Sequence, residues 1–288
     1  MNAMTDRTAD LTTPGDRRAA GPLEVPADRS WMERHGRTLW ISLARLGLLV
    51  LALALWQLAS GRLVDPLFIS RPSEIGTQLR SWLSDGTLTS NTWLTVQEIL
   101  LGFALGASSG LVAGFFLAIV KVLGDVLDPY MIAFYSIPKV ALAPLFIIWF
   151  GIDIKMKVLL SAATVFFLVY LNTAAGVRSV DRGLIDAVRL MGGSRRQMIV
   201  KVLVPGAMPG VITGLRVGVP YALIGAVVGE LVASNRGLGY LMLDSASQFN
   251  TAGVFAALVV ITIIAGILNL GVNLLQRRSS RWQARPGE

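Results

Sequence analysis

The chain has no cysteine and a single histidine, His35, in 288 residues. Without thiols there is no disulfide, no thiolate nucleophile and no thiolate metal ligand. One imidazole near the N-terminus, with no second His and no Cys to join it, excludes the spaced Cys/His sets that bind zinc. No Ser–His–Asp set and no HExxH is available for an intramembrane hydrolase. No GxxxxGK[ST] occurs either, so the backbone cradle for nucleotide phosphates is missing and the chain cannot itself be an ATPase. Charge is also scarce. Asp, Glu, Lys and Arg make up 15% of the residues against 53% hydrophobic side chains, outside the range of an ordinary soluble domain.

What the chain has is long apolar runs. Six are long enough to cross about 30 Å of hydrocarbon: residues 39–59, 93–120, 130–150, 158–177, 211–233 and 252–275. The pattern predicts an all-α polytopic membrane protein with a transmembrane domain over 39–276. A disordered tail is expected over 1–38 and a basic tail over 277–288. Between the first two spans, Pro72 opens an amphipathic segment with Ile75, Leu79, Trp82 and Leu83 on one side, suited to the membrane surface. Gly102, Gly106, Ser109, Gly110 and Gly114 repeat small residues along the second span, a face fit for close helix packing in lipid. Residues 121–128 read as a short turn. Pro138 and Pro144 remove backbone donors inside the third span and demand local compensation.

The net charge of +8 could suggest nucleic acid, but the cations lie between apolar runs rather than in one patch. Of 26 Lys and Arg, 17 fall on the side holding both termini and residues 178–205, six on the other, and three within spans. The positive-inside rule therefore places both termini and residues 178–205 in the cytoplasm. Ionisable residues inside spans are costly and are functional candidates by default. Arg45 and Glu98 lie close to span ends and read as interfacial or structural. Glu230 is also near an end, while Lys139 and Arg216 lie deeper. These three are candidates for a solute pathway or for helix pairing.

Residues 181–205 form a polar, Arg-rich island between the fourth and fifth spans. Asp181 suits a helix N-cap, Leu184, Val188 and Met191 make an apolar stripe, and Gly192-Gly193 supplies a stop. Ser194 and Gln197 form a capping box for a second helix, which Pro205 is expected to end. Two short amphipathic helices hinged at glycines suggest a docking element.

The island also resembles a known motif. Asp186-Ala187-Val188, three residues, Gly192, nine residues, then Val202-Leu203-Val204-Pro205 is similar to Glu-Ala-Ala-x3-Gly-x9-Ile-x-Leu-Pro. This EAA motif marks the cytoplasmic loop of binding-protein-dependent ABC importer permeases. Asp replaces Glu, and Val replaces Ala, Ile and Leu. Arg71-Pro72-Ser73-Glu74-Ile75, Ile137-Pro138 through Trp149-Phe150-Gly151, and Gly229-Glu230-Leu231 with Gly237-Leu238-Gly239-Tyr240 look like the nitrate/sulfonate/taurine branch.

The resemblance implies a type I importer permease that is not an enzyme and binds no cofactor, with ATP used by a partner subunit. It implies a coupling loop over 178–207, with Asp186, Ala187, Val188, Gly192, Val202, Val204 and Pro205 meeting cytoplasmic ABC ATPase subunits. Leu184 and Met191 would be apolar anchors there. A second permease copy, giving a homodimer in membrane lipid, and an extracytoplasmic substrate-binding protein are the other implied partners. A small anionic solute such as a sulfonate, nitrate or taurine would be the cargo. Hydropathy alone also allows a secondary transporter or channel with no ATPase, although no inverted repeat accompanies the Pro-broken span.

Overall fold

The structure, a computed structural model, describes residues 31–62, 65 and 67–279. Residues 1–30 of the tail expected over 1–38 and the final residues 280–288 lie outside it. All regular structure among the described residues is helical. The chain divides into two compact units, Met1–Leu53 and Ala54–Glu288. Helix α1 (Trp31–Ala59) begins inside the stretch read as tail. Every side chain described in the first unit, residues 40–53, is exposed, and nearly all are apolar. This is the surface of a helix whose solvent is lipid.

The second unit is organised around three long helices: α3 (Thr87–Ile119), α6 (Ile154–Arg178) and α9 (Val204–Val232). Between α1 and α3 lies α2 (Pro72–Ser84), whose Ile75 and Trp82 are buried while Leu83 is exposed. Helix α3 is followed after one residue by α4 (Lys121–Ser136), and a 3₁₀ turn (Lys139–Leu142) leads into α5 (Ala143–Phe150).

Past α6 come α7 (Arg182–Leu190), α8 (Arg195–Met198) and a π-helical turn (Ile199–Leu203) that runs straight into α9. Helices α10 (Leu238–Ser247) and α11 (Thr251–Ser279) complete the order. Five helices are long and apolar enough to cross a membrane. The pair Lys121–Ser136 and Lys139–Phe150, bent by 83°, makes a sixth if counted as one broken span.

Packing in lipid cannot rely on excluding water from apolar surface, so it relies on close approach. The glycines of α3 show how. A Cβ on Gly106, Gly110 or Gly114 would stand 2.5, 2.6 and 2.9 Å from the carbonyl oxygens of Ala162, Phe166 and Tyr170. Both series advance four residues at a time, so one glycine stripe lies along one row of α6 carbonyls. An adjoining side of α6 receives α9 in the same way, with a Cβ on Gly210 meeting the carbonyl of Asn172 at 2.6 Å and one on Gly225 meeting Ser161 Cα at 2.6 Å. Helix α6 thus packs closely against two glycine-faced helices, and its Val165 and Val169, which both of them touch, are fully buried.

Three expectations are corrected. Residues 121–128 are the start of a helix rather than a turn, because the break falls at Ile137-Pro138 and Pro129 is tolerated within α4. Lys157, one of the six cations expected outside the spans on the far side, lies inside α6 and is 4% exposed. Pro205 does not end a helix. The π turn just before it changes the hydrogen-bond register where the proline donor is missing, and helix continues over Arg195–Val232.

Candidate functional site

At one end of the bundle α7 and α8 form a short hairpin. Asp181 caps α7, accepting from the amide of Gly183 at 2.8 Å. Ser194 caps α8, where Gln197 N donates to Ser194 Oγ at 3.3 Å and Ser194 N donates to Gln197 Oε1 at 2.8 Å. The two glycines between them differ in role. Gly192 has φ +73°, which side chains resist, and a Cβ there would meet nothing within 4 Å. Gly193 is needed for closeness, since its Cβ would stand 2.5 Å from Val188 Cγ1 and 2.8 Å from the Val188 carbonyl.

The apolar residues of the hairpin divide into two sets. Ile185, Met198 and Ile199 pack on a buried cluster of Val177, Leu203 and Ala207. Leu184, Leu190 and Met191 point away, 56%, 88% and 85% exposed. The stripe of Leu184, Val188 and Met191 therefore splits, with Val188 half-buried against Gly193 and the other two outward. Asp186 is exposed and pairs only loosely with Arg189, at 3.4 Å. Ala187 and Val202 are half-buried, and Val204 and Pro205 are exposed.

The opposite end of the bundle holds a buried polar network. Glu98 of α3 and Lys157 of α6 form an ion pair at 2.6 Å, their side chains 0% and 5% exposed. Lys157 also donates to Ser234 Oγ at 3.0 Å. Glu230 of α9, fully buried, accepts from Thr95 Oγ1 and from the Gly239 amide, both at 2.6 Å. Asn91 Oδ1 accepts from Gly237 N at 2.6 Å, and Thr95 Oγ1 from Leu238 N at 2.9 Å.

Side chains of α3 and α9 thus hold the amides of residues 237–239, where α10 begins. Gly237, with φ +110°, sits so close that any Cβ would collide with the Glu230 carboxylate. Three helices and a loop are tied by groups that cannot be left unpaired in a low-dielectric interior.

Of the three candidates inside spans, Glu230 belongs to this network. Lys139 is elsewhere, at the bend between α4 and α5. Its ammonium donates to the carbonyls of Phe134, at 3.1 Å, and Tyr135. It also lies 4.9 and 4.8 Å from the ring centres of Tyr135 and Phe167. It caps the C-terminal end of α4, where freed carbonyls favour a cation. Arg216 is exposed on α9, and the structure brings none of the three together.

The Glu98–Lys157 pair was missed because Glu98 lies near the start of an apolar run and reads as interfacial, while Lys157 just precedes another run and reads as loop. A signal was present, since Asn91, Thr95, Glu98 and Gly102 follow helical spacing on the glycine face of α3.

A glycine-clamped bundle with a broken span and a capped hairpin at one end is the architecture of a transporter's membrane subunit. No cluster of His, Cys, Asp and Glu suited to a metal occurs among the described residues. Residues 110–285 match the family described as binding-protein-dependent transport system inner membrane component. The chain belongs to that family.

Among its relatives, the taurine transport system permease protein of Escherichia coli is 32% identical over 88% of this chain and 93% of that one. The riboflavin transport system permease protein of Chloroflexus aurantiacus is 37% identical over 85% and 92%. The formylaminopyrimidine transport permease protein of Halalkalibacterium halodurans is 31% identical over 76% and 87%. The fold is shared with the MetNI methionine ABC transporter in an inward facing conformation. That match has a TM-score of 0.59 at 20% identity and covers 65% of this chain and 94% of that one.

The chain is accordingly the permease component of a binding-protein-dependent ABC importer, an inner-membrane subunit without catalytic activity whose ATPase is a separate partner. A secondary transporter working without an ATPase is set aside by this membership.

Proposed function

We propose that the α7–α8 hairpin couples this permease to its ATPase, and that Leu184, Leu190 and Met191 are the apolar anchors that enter the partner. The observation carrying this reading is the outward exposure of Leu190 and Met191, 88% and 85%, beside the left-handed turn at Gly192. Two large apolar side chains at the tip of a polar, capped hairpin are hard to account for without a covering partner. Asp186, also exposed, is available to a basic group there, while Ala187, Val188 and Val202 support the hairpin from inside. Val204 and Pro205 carry it into α9. ATP-driven closure of the ATPase pair moves the hairpins, and the unbroken helix over Arg195–Val232 delivers that motion to the bundle.

The same reading pairs the chain with a second copy in the bilayer and an extracytoplasmic binding protein at the far end. The cargo is a small sulfonate-bearing solute, supported by the likeness to the taurine permease. The 37% identity to the riboflavin permease favours an aromatic heterocycle as the second reading. Gly192→Glu is expected to leave the protein inserted but to abolish both uptake and co-purification of the ATPase. Wild-type uptake by that variant would refute the coupling role. Binding of taurine against riboflavin by the cognate binding protein separates the two cargo readings.

A further inference from the structure

A cavity of about 840 Å³ opens between the hairpin and the bundle, and its walls carry Lys121, Arg178, Arg182, Arg189 and Arg195 against a single acid, Asp125. Two of these cations are already engaged. Arg178 pairs with Asp128 at 2.5 Å and Arg189 loosely with Asp186 at 3.4 Å. Lys121, Arg182 and Arg195 have no ion-pair partner among the described residues, and they come from three different segments: the start of α4, the start of α7 and the start of α8. The cavity floor is apolar, formed by Val177, Ile185, Met198 and Leu203 among others.

Its position is as informative as its charge. Lys121 follows the last residues of one apolar span and Arg178 ends another, so the cavity lies at the level where hydrocarbon gives way to headgroups. It is on the bundle side of the hairpin, lined by Ile185 and Met198, whereas the outward Leu184, Leu190 and Met191 are absent from its walls. Beside Lys121 and Asp125 on α4, Val122 and Val126 are 78% and 57% exposed, an apolar strip adjoining the cationic mouth. The excess of Lys and Arg puts this end of the bundle at the cytoplasmic leaflet, which carries anionic lipid.

We propose that this cavity binds a phosphate-bearing anion supplied by the membrane, the headgroup of an anionic phospholipid. The phosphate is held by Lys121, Arg182 and Arg195, and the acyl chains lie along Val122 and Val126. Guanidinium groups of Arg182 and Arg195 offer forked donors that match phosphate oxygens. A headgroup bridging Lys121 on the bundle to Arg182 and Arg195 on the hairpin would brace the element that Gly192 leaves hinged. The proposal does not depend on the hairpin's being the ATPase dock, because the two surfaces are on opposite sides of it.

The test uses the assembled permease–ATPase complex in vesicles of phosphatidylcholine alone or of equal parts phosphatidylcholine and phosphatidylglycerol. Lipid retained on the purified complex is then read by native mass spectrometry. Wild type is expected to retain phosphatidylglycerol selectively. At about fivefold per cation near an anionic surface, the triple variant Lys121→Gln/Arg182→Gln/Arg195→Gln should retain it about a hundredfold less well. The charge-keeping Lys121→Arg/Arg182→Lys/Arg195→Lys variant should retain phosphatidylglycerol well above the glutamine variant, though below wild type where the forked guanidinium donors are lost, which separates loss of charge from loss of fold.

Equal retention of both lipids by wild type overturns the proposal, as does unchanged retention by the glutamine triple variant. Displacement of phosphatidylglycerol by inorganic phosphate overturns the lipid source in favour of a soluble anion. Loss of the ATPase with lipid retention intact would assign the three cations to the ATPase interface instead.

Discussion

Replacing Lys157 by Met tests what holds the outer end of the bundle. Lys157 Nζ and Glu98 Oε1 are 2.6 Å apart, which at an effective dielectric of 20 is an attraction of about 6 kcal/mol. Desolvation of both ions offsets much of that, so the pair as a whole contributes little net stability. Removing one partner is different. The Glu98 side chain is 0% exposed and its carboxylate oxygens make no hydrogen bond beyond the Lys157 ion pair, so Lys157→Met strands a buried carboxylate.

The expected cost is about 3–5 kcal/mol. Uptake of a proton by the stranded carboxyl would bring the loss to the lower end of that range. By the scaling of soluble domains of this size, at about 2–4 °C per kcal/mol, the midpoint of heat denaturation falls by about 6–20 °C.

Lys157→Met combined with Glu98→Gln removes both charges and should return to within about 1 kcal/mol of wild type. The assay is the fraction of detergent-solubilised protein that remains monodisperse after stepped heating, measured for all four members of the cycle. A single variant that loses less than about 1 kcal/mol, or a double variant no better than the single, would refute the reasoning from charge.

Three further outcomes are expected. Gly106→Leu should separate α3 from α6 and lower stability by about 1–3 kcal/mol. In the same heating assay Gly47→Ala, where a Cβ meets nothing within 4 Å, should change little. Gly237→Ala places a methyl group against the Glu230 carboxylate, so amide exchange at residues 237–239 should quicken by tenfold or more, corresponding to about 1.4 kcal/mol or above. Unchanged protection there would mean that the loop is not held by Glu230. Lys139→Met uncaps α4 and should reduce stability by about 1–3 kcal/mol while leaving the KM for solute as it is. A raised KM with unchanged stability would return Lys139 to the solute path.

Much of the fold was legible along the chain because a membrane imposes simple rules. Apolar length and Lys and Arg asymmetry defined a polytopic helical membrane protein before any coordinates, and the motif resemblance added the permease reading. The glycine register of α3 was legible as a face, though not its partner. The hairpin was legible in its caps and hinge because those signals are local: Asp181, Ser194 and Gln197 act on backbone groups at most three residues away. Pro205 misled, because a proline's cost depends on what neighbouring turns can supply, and the π turn before it was not visible in the residue pattern.

The sequence by itself therefore determined the membrane class and the caps and glycine stop of the hairpin, which follow from composition and short-range spacing, while the motif resemblance singled out Gly192. Only the tertiary structure decided that Glu98 meets Lys157, that Glu230 holds Gly239, and which half of the apolar stripe faces outward. Glu98 and Lys157 are 59 residues apart in the chain, and no local pattern encodes which carboxylate an ammonium will find. Their meeting is fixed by close approach: glycine faces on α3 and α9 bring their backbones against α6 and bury Glu98, Lys157 and Glu230 between them.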